Sequence, residues 1–136
     1  MRHAKAVFAD EHRKVFDMFQ YSPAVKAGPY VYISGVIGAD ERGCAFDTPE
    51  AEYHAAFQTI LKLLDASGAT AADIISLDSF HVTDDLIREM RTFNQVRADY
   101  MSAPHPAWTA IGVCSIAVPG ARAEIKVTAY LGNQDI

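Results

Sequence analysis

A chain of 136 residues, half of them hydrophobic, is long enough for one compact domain with its own core and too short for two of ordinary size. Its 12 basic and 17 acidic residues leave a formal charge of −5, which argues against a general attraction to nucleic acid or to an anionic membrane surface. No stretch approaches the roughly 20 apolar residues that cross a bilayer, and no apolar run follows the opening MRHAKAVFADEHRK, so a single domain over residues 1–136 in the cytoplasm is expected.

One or two strands are expected near the N-terminus. The segment PYVYISGVIG, Pro29 to Gly38, is rich in β-branched and aromatic residues between turn signals and predicts a further strand. GADERGCAFDTPE then reads as a polar surface loop. A helix follows, because Thr48 can cap, Pro49 suits the first helical position, and Tyr53, Phe57, Ile60, Leu61 and Leu64 form one apolar stripe closed by Gly68. DIISLDSFHV predicts the next strand. A second helix starts near Asp84 or Asp85, carries Leu86, Met90, Phe93, Val96 and Tyr100 on one face, and stops before Pro104.

Two strands complete the chain. In AWTAIGV, Thr109, Ile111 and Val113 point one way and Trp108, Ala110 and Gly112 the other. In ARAEIKVTAYL, Ala123, Ile125, Val127, Ala129 and Leu131 make a dry face and Arg122, Glu124, Lys126, Thr128 and Tyr130 a polar one. VPGA, Val118 to Ala121, reads as the turn that pairs these two strands as a hairpin. The expected architecture is α+β: a mixed sheet with two helices on one face and an open opposite face carrying Trp108 and Tyr130, which a second subunit would cover.

The chemistry has no loud signal. Cys44 and Cys114 form neither a disulfide framework nor a metal spacing, and Cys114 reads as a buried small hydrophobe. His3, His12, His54, His81 and His105 are scattered without ligand spacing, and no glycine-rich phosphate loop or nucleophile elbow is present. No metal and no cofactor are expected.

Five blocks nevertheless share an order and spacing with a known family: YSPAVKAGPYVYISGVIG, AFQTILKLLDASGATAADIISLDSFHVTD, FNQVRADYM, PAWTAIGV and AEIKVTAYL, together running from about Tyr21 to Leu131. The chain thereby resembles the RidA/YjgF family of reactive-intermediate deaminases. The resemblance implies a chorismate-mutase-like subunit, three of which assemble around a central barrel with small-molecule clefts between neighbours. It also implies cofactor-free hydrolysis of an imine or enamine to a keto acid and ammonia. The family's cleft is built from a tyrosine, a Ser-Gly pair, an arginine after Pro-Ala that clamps the substrate carboxylate, and a glutamate on the last strand. By that match Tyr21, Ser34 and Gly35 bind substrate beside the Ala110 backbone, and Glu124 is catalytic, positioning water and moving a proton.

Trp108 stands where the arginine is expected. A guanidinium grips a carboxylate through two parallel charged hydrogen bonds, whereas an indole offers one neutral N–H. The resemblance therefore predicts poor activity on simple 2-imino acids unless Arg122 or Arg97 supplies the missing cation, with His105 a further candidate acid or base. Trp108 would then shape specificity, as a wall for a flat ligand or as an interface plug. The rival reading is a homotrimer that binds a metabolite or protein in the same cleft without turning it over. RNA cleavage, attached to some family members, sits poorly with the acidic composition.

Overall fold

The structure is a computed structural model that describes residues 4–132. Within them lie strands β1 (Ala4–Val7), β2 (Ala24–Ala27), β3 (Tyr30–Ile33), β4 (Val36–Ile37), β5 (Ile74–His81), β6 (Ala107–Gly112) and β7 (Ala123–Tyr130). The helices are α1 (Arg13–Phe19), α2 (Pro49–Ala66) and α3 (Leu86–Arg97). The strands form one mixed sheet in the order β1-β2-β3-β7-β5-β6, with β4 pairing β7 beyond the end of β3.

The two long helices start and stop where their sequence dictates. Thr48 Oγ1 accepts the Ala51 N–H at 3.2 Å with Pro49 in the first turn of α2, and Asp85 accepts the Arg88 N–H at 3.1 Å to open α3. Gly68, at φ +82°, takes the left-handed turn that ends α2. The stripe on α2 buries Tyr53, Phe57, Ile60 and Leu64 against Ile33, Leu77, Ile125 and Val127 of the sheet, and α3 adds Phe93 and Val96. Burying each such side chain contributes roughly 1.5–3 kcal/mol against the entropy of ordering the chain, which makes this layer the main favourable term. Helix α1 was not expected: it is short, buries none of its residues, and leaves little periodic signal.

The two C-terminal strands do not form the expected hairpin. β6 pairs parallel with β5, and β7 pairs antiparallel with β5 on its other side, so β5 separates the two strands expected to be partners. Central β5 must satisfy both of its edges, and a β6–β7 hairpin would leave one open. α3 makes the crossover that parallel pairing needs. The stretch from 113 to 122 then passes the end of β5, where the Val113 N–H donates to the His81 carbonyl and the Val82 N–H to that of Arg122, each at 2.8 Å. VPGA lies in this passage. Cys114, also there, is exposed rather than buried, because the passage runs over the surface.

A buried carboxylate fixes the start of β7. Glu52 of α2 is fully buried and accepts the backbone N–H groups of Arg122 and Ala123 at 2.8 and 2.9 Å and Arg122 Nη1 at 3.1 Å. The same guanidinium donates to the carbonyls of Phe46 and Asp47 at 3.2 and 2.9 Å, tying the polar loop to the sheet. Arg122 is therefore a pin within the subunit. On the sheet face away from α2 and α3 stand exposed Tyr30, Tyr32 and Tyr130, with ring centroids 6.1 and 5.2 Å apart along the row, and exposed Ile111.

Candidate active site

The break between β3 and β4 brings the first group of candidate residues together. Ser34 Oγ donates to the Ser22 carbonyl at 2.6 Å and the Ser34 N–H to that of Pro23 at 2.9 Å, which folds the chain at Tyr21 back onto the Ser-Gly pair. Tyr21, Ser34 and Gly35 line a pocket of about 180 Å³ with Pro23, Val36 and Thr59. Pairing of Ile37 with Glu124 sets the carboxylate beside this turn. A Cβ at position 35 would run into the end of the Glu124 side chain and push it aside, so glycine lets the carboxylate rest against this turn.

Glu124 is half-buried and makes no hydrogen bond or ion pair among the described residues. Neither Arg122 nor Lys126 neutralises it, which leaves the carboxylate oxygens for a water or a ligand. Glu124 touches Gly35 but does not line the Tyr21–Ser34 pocket; it borders a separate small one with Phe80, Val113, Ser115 and Ile116.

His12 joins the first pocket, and the sequence offered no signal for it. A short 3-10 turn, Asp10–His12, delivers the ring to the pocket wall, where Nδ1 is buried without a partner. Its position depends on how the N-terminal segment folds back, which no ligand spacing reveals.

Trp108 is on the other face of the sheet, contrary to expectation. In parallel register it lies beside fully buried Leu77, and its indole turns toward α3 rather than toward the tyrosine face. The apolar Thr109–Ile111 set, which looks like the inward one, faces outward instead, and Ile111 is 44% exposed. The indole stacks on Phe93 at 5.9 Å, and its N–H donates to Ser79 Oγ at 2.9 Å. Ser79 is in turn 2.8 Å from His81 Nε2. His81 is fully buried, and desolvation lowers its pKa to about 4, so the ring is neutral at physiological pH.

The six predicted site residues thus divide. Tyr21, Ser34 and Gly35 line one pocket at the β3–β4 break, and Glu124 abuts Gly35 from outside that lining. Trp108 and Ala110 lie on β6, on the opposite face from Glu124 and with β5 between. Arg97 accompanies Trp108, its guanidinium 5.2 Å from the indole centroid, while His105 is exposed in the loop before β6. Among the described residues no group of three or more His, Cys, Asp or Glu side chains is placed to hold a metal ion, and no helix is long and apolar enough to cross a membrane.

Comparison with known proteins places these features in a wider set. Residues 14–131 match the family model described as endoribonuclease L-PSP. The RutC family protein YjgH of Escherichia coli (strain K12) is 34% identical over 134 residues, covering 95% of this chain and 96% of that one. A solved structure of protein YJGH superposes with a TM-score of 0.83 at 31% identity, covering 95% and 97% of the two chains. A Mycobacterium tuberculosis member of the YjgF/YER057c/UK114 family gives a TM-score of 0.77 at 26% identity, covering 93% and 98%.

Proposed function

Because the chain belongs to the YjgF/RidA family, the one whose model is described as endoribonuclease L-PSP, we propose that it is a cofactor-independent hydrolase. Its substrate is a small imine, enamine or related unsaturated nitrogen compound, bound in a cleft between the subunits of a cytoplasmic homotrimer. The observation that carries this reading is the unpaired Glu124 carboxylate set against Gly35 beside Ser34 and Tyr21. A C=N carbon becomes strongly electrophilic when its nitrogen is protonated, and a carboxylate that takes a proton from the attacking water can orient that water and pass the proton on to the nitrogen. Water adds its oxygen to the carbon, the nitrogen takes up protons, and the C–N bond breaks to release ammonia and a carbonyl compound. The division of the site supports a shared cleft: the Tyr21–Glu124 group and the Trp108–Ala110 group cannot meet within one subunit. A neighbour set against the edge of β6 and the tyrosine face would join them and cover apolar surface at once.

Trp108 changes what the cleft accepts. Losing a bidentate charged grip typically costs about 2–5 kcal/mol, so hydrolysis of 2-iminobutyrate should run roughly 30-fold or more below that of a relative carrying the arginine. RNA cleavage would instead call for a surface that neutralises phosphates, which a net charge of −5 opposes. The test is ammonia release from freshly generated imines by the wild type and by Glu124→Gln. Turnover that disappears in the variant supports the reading, and turnover that is unchanged refutes the role of Glu124.

A further inference from the structure

The pocket at the β3–β4 break has one wall that the family match does not reach. His12 lies ahead of residue 14, where the family model begins, and the N-terminal segment brings it to the pocket by its own contacts. β1 pairs antiparallel with β2, the His12 N–H donates to the Ala9 carbonyl at 2.9 Å to close the Asp10–His12 turn, and Glu11 Oε2 lies 3.6 Å from Lys62 Nζ of α2. Phe8 packs on the core and meets Phe16 with ring centroids 5.0 Å apart, which docks α1 and sets its Val15 on the same wall.

As packing, an imidazole serves this wall badly. Its Nδ1 is enclosed without a partner, a desolvation cost that an aliphatic side chain would avoid, while Val15, Pro23, Val36, Ile37 and Leu63 make most of the remaining lining apolar. A buried N–H without an acceptor is rarer than a buried lone pair, so the enclosed Nδ1 is the nitrogen left bare and the ring's proton falls on Nε2. Nε2 is not enclosed and makes no hydrogen bond or ion pair among the described residues, which leaves one N–H donor at an apolar pocket. The volume of about 180 Å³ exceeds the roughly 150 Å³ that suffices for benzene. We infer that this pocket takes an unsaturated ring carrying an acceptor nitrogen, and that His12 hydrogen-bonds that nitrogen. A ring seated there lies against Gly35, which Glu124 touches from outside the pocket. The inference deepens the reading above by naming the substrate class as a nitrogen heterocycle or a compound bearing one. It rests on that reading only for the chemistry at Glu124.

Pyridine and benzene, equal in shape and differing by one acceptor nitrogen, are the probes. Each is titrated into the full-length protein at alkaline pH, which keeps pyridine uncharged, while the amide resonances of Ser34 and Gly35 are followed by NMR. Both probes should shift these amides saturably. His12→Phe keeps a ring on the wall without its N–H, so the ratio of pyridine to benzene affinity should fall roughly fivefold, as for one lost hydrogen bond. His12→Gln restores a donor and should recover much of that ratio, an outcome that a purely structural role would not produce. Val15→Trp fills the pocket from α1, which buries none of its own residues, and should abolish binding of both probes. A ratio unchanged in His12→Phe, amides that neither probe shifts, or binding that survives Val15→Trp would overturn the assignment. The titration requires no turnover, so its failure is distinct from survival of ammonia release in Glu124→Gln.

Discussion

Lowering the pH should destabilise the protein through His81, which is fully buried on β5 with Ser79 as its polar partner and the Phe93 ring edge-on at 5.0 Å. Desolvation holds the folded pKa at about 4, against 6.5 for the ordinary imidazole. Between those two values the unfolded chain carries a proton on His81 that the folded protein does not, so stability falls as the pH falls through this window. Above it neither state is charged and nothing is lost. The gap corresponds to about 3 kcal/mol over the whole window, about 2 kcal/mol of it between about pH 7 and about pH 5. Glu89 acts in the opposite sense: burial and nearby Glu52 raise its pKa, so the folded state takes up that proton first and gains stability on acidification. A comparison with a non-titrating residue isolates the histidine. Urea unfolding of wild type and His81→Asn at both pH values, with protein concentration fixed, should show the wild type losing about 2 kcal/mol more than the variant. An identical loss in both proteins would refute the claim that His81 is excluded from water and held neutral.

Glu52→Ala should cost about 3–5 kcal/mol in thermal or urea unfolding, because it strands two backbone N–H groups and the Arg122 guanidinium in a buried site; a change below about 1 kcal/mol would show that water satisfies them. Light scattering should give three times the chain mass, and a stable monomer at micromolar concentration would sink the shared cleft.

What the sequence disclosed follows from where burial is one-sided. α2 and β7 each press one face on the core, so the stripe from Tyr53 to Leu64 and the alternation from Ala123 to Leu131 are readable directly. β6 is an edge strand with neither face dry along its length, so the same alternation separates Trp108 from Ile111 without saying which faces α3. The partner of β6 is hidden for a related reason: a turn signal such as VPGA marks where a chain can reverse, whereas pairing depends on which edge of β5 is free. The residues at the β3–β4 break were legible through the motif, because Tyr21, Ser34 and Gly35 are close in sequence. His12 was not, since only the path of the N-terminal segment brings it there.

Among the described residues, the strand furthest along the chain occupies the middle of the sheet. β7 pairs with β3 and β4 on one side and β5 on the other, and its partners precede it by roughly 40 to 100 residues. Without β7 the sheet falls into two unjoined pieces, β1-β2-β3 and β5-β6, each with an open edge toward the gap. The hydrophobic layer beneath α2 would also lack Ile125, Val127 and Ala129. The sheet is thus closed by contacts of long sequence separation, the kind that form slowly. Deleting residues 123–130 would expose strand edges that favour aggregation over function.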